Sequence, residues 1–253
     1  MAGGQASGMT HPAIAVRALR THQEFAEAVA LQKTIWGFEE IELLPVRLFV
    51  VATKVGGHAF GAFDGGRMVA FCLAIPGLKP GGVTYLHSHM LGVLKEYRDR
   101  GVGRMLKLAQ REEALPRGIQ LIEWTFDPLE LKNAYFNIER LGAVIKRYVL
   151  NQYGTTTSHL HGSLPTDRCV AEWYIASPRV TDVLAGHPLQ HPRAAARVAV
   201  PYNIGELKHS DPRQARAIQT SVSQRFVENF ERGLIVSGFE RTGKEGIYLF
   251  TRP

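Results

Sequence analysis

The period of apolar and polar positions changes repeatedly along the chain, and each change predicts an element. Val83 to Val93 is an apolar run with polar residues interleaved, the pattern of a strand. Strand parity puts Tyr85, His87, His89, Leu91 and Val93 on one face and Leu86, Ser88 and Met90 on the other. After it Val102, Met105, Leu106 and Ala109 recur at helical spacing, with Arg104, Lys107, Arg111 and Glu112 off that stripe. Between the two lies Arg98-Asp99-Arg100-Gly101-Val102-Gly103-Arg104, so a strand turns through glycines into the first turn of a helix.

The flanks read in the same way. Ile14 to Leu19 predicts a first strand. Thr21 and Glu24 form a capping box that opens a helix, with Phe25, Ala28, Val29, Ile35 and Trp36 on one face and Gly37 at its end. Pro45 precedes a second helix, Val46 to Val55. His58 to Phe63 and Met68 to Ile75 are strands joined by Asp64-Gly65-Gly66, a hairpin signal. Ile119 to Phe126 is a strand, Leu129 to Leu141 a helix closed by Gly142, and Ala143 to Leu150 and Cys169 to Ile175 are strands. Gly154 to Asp167 is a polar loop of a length that tends to carry function. Ser177 to Arg197 reads as a connector bearing Pro, Ala and His, and Val198 to Pro201 as a short strand. Asp211-Pro212 then starts a helix with Ala215, Ile218, Val222, Phe226 and Phe230 in line. Gly233 ends that helix, and a hairpin turns at Thr242-Gly243-Lys244.

This order is an α/β (α+β) layout. It divides into a disordered tail at 1–12, a core at 13–176, and a connector and extension at 177–253. The extension is small and apolar on one face, so it is expected to pack on the core.

Composition narrows the classes. The chain has 253 residues, 45% hydrophobic and 21% charged, enough for a sizeable core. No apolar run approaches the ~20 residues of a membrane span. Met1 to Thr10 lacks the basic start and apolar stretch of a leader, so a cytoplasmic protein is expected. Cys72 and Cys169 sit in apolar runs, as buried free thiols of a reducing compartment do. The net charge is +7, but the basic residues are spread out, with no block and no aromatic–basic motif. Nucleic acid is therefore not the expected partner, and an anionic ligand accounts for part of the excess.

The glycine turn gives that ligand a place. Amides at a helix start lack partners, and the positive end of the helix dipole lies behind them. A pyrophosphate fits there. Gly101 and Gly103 let it approach the backbone, and Arg98, Arg100 and Arg104 add charge. The spacing Arg98-x-x-Gly101-x-Gly103, after the strand end Leu91-x-Val93, resembles the acyl-CoA pyrophosphate loop of the GNAT superfamily of N-acetyltransferases. A second stretch, Asn133-Ala134-Tyr135-Phe136-Asn137-Ile138-Glu139-Arg140-Leu141-Gly142-Ala143, is similar to a later GNAT helix and its Leu-Gly ending. Ala143 stands where the family usually has an aromatic. The wording TFDPLE, NAYFN, LGA, YG, LPTDR and EW also resembles a bacterial group of predicted GNAT-like proteins without assigned substrate.

The resemblance implies a GNAT fold, a central mixed, mostly antiparallel sheet with splayed strands flanked by helices, here with a C-terminal strand–helix–hairpin extension. It implies acetyl-CoA or another acyl-CoA as co-substrate, no metal, and a small-molecule or protein amine as acceptor, with a homodimer as one possible state. Cofactor contacts would fall on Leu91, Gly92, Val93, Arg98, Asp99, Arg100, Gly101, Val102, Gly103, Arg104 and Asn133. The activity would be N-acyl transfer; the alternative is a GNAT-like sensor or scaffold that holds CoA without turnover.

Acyl transfer to an amine needs a base. His89 lies four before Val93, where GNAT enzymes often place a glutamate, and a neutral imidazole accepts a proton near pH 7. Its alternative is a buried structural histidine. Glu123 shares a strand face with Thr125 and Asp127 and is a second base candidate, or else an ion-paired carboxylate. The family's usual acid, a tyrosine, is replaced by Ile138, and Tyr135, one turn earlier, is the substitute candidate. A thiolate leaving group does not strictly need an acid. His159-x-His161 with Asp167 lacks a third ligand at metal-site spacing, so no metal is expected.

Overall fold

The computed structural model describes residues 14–154 and 164–253. The tail at 1–12 and the pair His159 and His161 lie outside the described residues. The chain runs β1 (Ala15–Ala18), α1 (His22–Trp36), α2 (Val46–Lys54), β2 (His58–Asp64), β3 (Arg67–Leu78), β4 (Thr84–Val93), α3 (Val102–Ala114) and β5 (Leu121–Phe126). Next come α4 (Leu131–Tyr135), continued by a π-helical turn at Phe136–Arg140, then β6 (Val144–Val149), β7 (Arg168–Tyr174), α5 (Pro178–Leu184) and β8 (Ala196–Pro201). The chain closes with α6 (Ile204–Ser210), α7 (Pro212–Glu231), β9 (Ile235–Arg241) and β10 (Glu245–Thr251).

The caps behave as the sequence predicts. Thr21 accepts from the Glu24 amide while Glu24 accepts from the Thr21 amide, and Gly37 closes α1 in the left-handed region. Asp211 accepts from the Gln214 amide at the start of α7. The connector contains an element that the sequence pattern did not assign. It holds α5, with Ser177 accepting from the Val180 amide and Pro178 at the first helical position, and α6 follows β8. Both helices are seven residues long, too short for an apolar stripe to repeat, so periodicity did not show them.

All strands among the described residues join one sheet in the order β1-β2-β3-β4-β5-β7-β6-β9-β10-β8. Every pair is antiparallel except β4 with β5. That parallel pair is short: Leu86 faces Ile122, His87 faces Glu123, and past those residues the strands part. The result is a mixed, mostly antiparallel sheet with a splay at its centre, flanked by helices. One core cluster lies around β2 and β3 under α1, α2 and α3, with Phe49, Phe71 and Leu73 at its centre. The other runs without a break from Ile122 and Trp173 to Val198, Phe226 and Tyr248, on both sides of residue 177. Strand β9 meets β6 at Val236 and Ile145, so the strands after the connector continue the same sheet. Cys72 and Cys169 are buried free thiols.

Candidate active site

The splay and the glycine turn lie at the two ends of one strand segment, Ser88 to Val93. At the turn, Gly101 has φ 80°, and a Cβ built on it would meet nothing within 4 Å. Among the described residues no side chain caps α3, whose first intrahelical bond runs from the Met105 amide to the Gly101 carbonyl at 3.0 Å. The amides of Val102, Gly103 and Arg104 thus form an uncapped, positively polarised end over open space, which suits a phosphate. Val102 itself is buried and anchors the turn. Arg98 donates from Nε to the Val93 carbonyl at 3.2 Å, and the Arg100 guanidinium lies 5.3 Å from the Tyr97 ring. Arg104 turns away, donating from Nη2 to the Leu184 carbonyl at 3.2 Å. Asp99 adopts φ 60° and accepts from Lys132 at 3.1 Å. That bond draws a lysine of α4 to the loop, a cation the sequence reading did not assign. Asn133, its neighbour, is exposed.

A β-bulge changes the faces of β4. Leu73 pairs with Met90 and Ala74 with Ser88, so His89 is the extra residue. The expected parity fails there. Leu91 and Val93 face α3, where a Cβ on Gly103 would lie 3.7 and 4.0 Å from them, whereas Gly92 is pressed against Ile35 and Trp36 of α1. His87 and His89 stand together on the other face, ring centroids 5.8 Å apart. His89 therefore does not share a face with Leu91 and Val93; it looks out on the side away from α3. Burial lowers its pKa below the ordinary 6.5. His87 falls further, to about 4, through burial and then through the neighbouring imidazole.

Beside these histidines the face carries a charged cluster. Glu123 is buried, and Arg147 Nη2 donates to both of its oxygens at 3.0 and 2.9 Å while Lys79 pairs with one of them. Glu172, opposite Glu123 on β7, binds Lys146 at 3.2 Å, Arg147 at 3.6 Å and Lys79 at 3.8 Å, and accepts from the Tyr174 hydroxyl at 2.6 Å. A second bulge, between Ile145 and Arg147, lets Lys146 and Arg147 reach the same carboxylate although they are sequence neighbours. The ion-pair reading of Glu123 thus has the geometry on its side, and the carboxylate stands between two cations.

The opposite face holds a lysine that lies off the apolar stripe of α3. Lys107 of α3 is 3% exposed. Its Nζ donates to Ser88 Oγ at 2.9 Å and lies 3.5 Å from the centroid of the Trp124 ring. Ser88 and Trp124 are the first residues after the last paired positions of β4 and β5, so the ammonium spans the apex of the splay. The Ser88 hydroxyl in turn donates a hydrogen bond to Gln110 Oε1 at 2.9 Å. No carboxylate pairs with Lys107 among the described residues, and burial lowers its pKa to about 7. An amphipathic helix plot misplaces it because a long stem buries as readily as a leucine.

Tyr135 is drawn toward the C-terminal hairpin, with the Arg241 guanidinium 3.8 Å from its ring centroid. Ile138 is fully buried in the π-helical turn. The structure therefore brings His89 and Glu123 to one region and places Tyr135 against another element. Asp167 accepts from the Ser223 hydroxyl at 2.6 Å and the Asn151 amide at 2.9 Å. No group of three or more metal-type side chains forms among the described residues, and none of their helices is long and apolar enough to cross a membrane.

A model of the acetyltransferase (GNAT) family matches residues 22–142. No curated protein sequence matches the chain. Among solved structures it is similar to Arabidopsis thaliana NAA60 in complex with a bisubstrate analogue, at 14% identity over 64% of this chain and 98% of that one, with a TM-score of 0.52. The same protein in complex with acetyl-CoA gives 14%, 64%, 99% and 0.51. The ribosomal-protein-S18-alanine N-acetyltransferase from Escherichia coli gives 17%, 65%, 96% and 0.50. At such identities the likeness fixes the fold.

Proposed function

We propose that this chain, whose residues 22–142 match a model of the acetyltransferase (GNAT) family, is an N-acetyltransferase of the GNAT type that works as follows: acyl-CoA, acetyl-CoA foremost, binds at the 98–104 turn, and its acyl group goes to an amine with His89 as base. The observation that carries this is the turn itself, uncapped and open over Gly101, following the half of β4 that parts from β5. When bound, acyl-CoA supplies the activated acyl group. The amides of Val102, Gly103 and Arg104 would hold its pyrophosphate, with Arg98, Arg100 and Lys132 as surrounding cations. Leu91 and Val93 would take the arm from the α3 side, and Asn133 lies next to Lys132 on the same rim. The acceptor then comes to the face away from α3, where His89 stands. Held neutral by its burial, His89 can take the proton of an ammonium acceptor.

Gly101→Ala tests the reading. The Cβ enters the open space over the amides and the left-handed backbone costs about 1–2 kcal/mol. Calorimetry should find CoA affinity down about tenfold or more, with circular dichroism unchanged. Equal affinity would sink the proposal. A sensor that holds CoA without turnover is the second reading. Ile138 at the family's acid position and the engagement of Glu123 with Arg147 and Lys79 favour it. Thiol release from acetyl-CoA, with and without added amines, separates the two.

A further inference from the structure

We infer that the acceptor is an amine that also carries an anionic group, a carboxylate or a phosphate, and that Lys79, Lys146 and Arg147 recognise that group. The inference rests on the acyltransferase reading for the position of the acceptor face, and on the charged cluster for its chemistry. The cluster contains three cations and two carboxylates. They are layered. The side chains of Glu123 and Glu172 are 4% and 6% exposed, whereas those of Lys79, Lys146 and Arg147 are 27%, 37% and 52% exposed. The negative charge is underneath and covered; the surplus positive charge faces outward.

The cations are fixed in place. Arg147 is held by both oxygens of Glu123 and by Glu172, so its planar fork is set before any ligand arrives. Lys146 donates to the Tyr174 hydroxyl at 2.7 Å as well as to Glu172. Burial alone would pull the Lys146 pKa down, but these bonds outweigh it and leave it raised. A preorganised, partly desolvated set of cations is what anion recognition uses. The set also lies within reach of the base: Glu123 pairs in register with His87, whose ring neighbours that of His89. A polyamine would meet net positive charge here. An amino acid or an amino phosphate would offer its amine to His89 and its anion to the cluster.

The test uses the full chain and pairs of amines that differ in the anion alone: glycine with glycinamide, phosphoethanolamine with ethanolamine, and a short peptide with aspartate at its second residue against the same peptide with asparagine. Spermidine is added as a polycation. Thiol release from acetyl-CoA gives kcat/KM, and equilibrium dialysis against CoA-saturated protein gives affinity without turnover. The expectation is a preference for the anionic member of at least one pair by about tenfold or more, reduced by salt. The carboxylate, phosphate and peptide pairs tell which source of the anion is meant. Lys146→Met should remove most of that preference through KM, weakening the anionic member far more than its neutral partner. Because Lys79 and Arg147 still cover Glu172, this variant should fold; a thermal melt checks it. Arg147→Gln should have the larger effect.

Equal affinity within every pair, or a preference for spermidine, would overturn the inference. So would a Lys146→Met variant that weakens both members alike. Preferential binding without turnover would uphold it and sink the catalytic reading. If CoA itself does not bind, the acyltransferase reading falls, and dialysis against the free protein still decides this one.

Discussion

The sheet buries charge on both sides of its splay, and it does so in opposite ways. On the α3 face a single ammonium, Lys107, lies over the apex with a hydroxyl and an indole ring for company. On the other face Glu123 and Glu172 are buried as deeply, but Lys79, Lys146 and Arg147 surround them. A buried charge without a counter-charge relaxes by losing its proton, and the Lys107 pKa has moved down to about 7 accordingly. A buried carboxylate between cations stays ionised instead; for Glu172 burial pushes the pKa up, but the Tyr174 bond and Lys146 outweigh it and leave it low. One face is thus adjustable in charge and the other is locked. The adjustable face is where a pantetheine arm would lie in our proposal, and the locked face is where an acceptor would be positioned.

The sharpest way to break this contrast is to ask whether the locked face does chemistry at all. His89→Gln should lower kcat/KM for the best amine of the paired set by about 100- to 10,000-fold, the range of a general base. CoA affinity should hardly change, since His89 is turned away from the side of Leu91 and Val93. Activity of the wild type should fall as pH drops through a histidine pKa below 6.5, because the base becomes protonated, and the variant should lose that limb. A variant with wild-type rates would remove His89 from the mechanism.

The next effect is on stability. Glu123→Ala leaves Arg147 and Lys79 beside a buried space with only Glu172 to share. Breaking a buried pair costs about 3–5 kcal/mol. Arg147 is half exposed and can turn to water, so the lower end, about 3 kcal/mol, is expected. Urea unfolding measures it. A loss below about 1 kcal/mol would mean that solvent already screens the cluster and that it is not a fixed platform.

Most of the fold was legible because its signals are local. The capping box at Thr21, the glycines of the 98–104 turn, the hairpin residues at 64–66 and 242–244 and the stripe from Ala215 to Phe226 each act within a few positions, and the structure holds them where the pattern predicts. What was not legible in the site has two causes. Parity counts every strand residue, and a bulge removes one from the count. At His89 the bulge separates the imidazole from Leu91 and Val93; at Lys146 a bulge brings two neighbours to one carboxylate. No residue type announces either. The second cause is that polarity in a helix stripe says nothing about a lysine stem that buries whole, which is how Lys107 escaped notice.

The smallest expected effect concerns that lysine, and it tests whether its face is adjustable. Lys107→Met keeps the length and the apolar stem and removes the ammonium. Below pH about 7 the wild-type lysine is protonated both folded and unfolded, so the folded protein bears the full cost of burying the charge. Between about 7 and the ordinary 10.5 the unfolded chain still holds that proton and the folded protein does not. The unfolded state then binds more protons, so this residue's contribution to stability rises with pH and levels off above 10.5. The variant lacks that slope. It should therefore be the more stable of the two at pH 6, by about 1 kcal/mol once the lost contacts to Ser88 and Trp124 are set against the removed charge. Its advantage should reverse before pH 10, because each pH unit above about 7 adds on the order of 1 kcal/mol to the wild type. Urea titrations of both proteins across that range read the difference directly, and other titrating groups cancel in it. A constant difference would mean that the ammonium keeps its proton throughout, with Trp124 and Ser88 sufficing as its solvent, and the two faces would then bury charge in the same way.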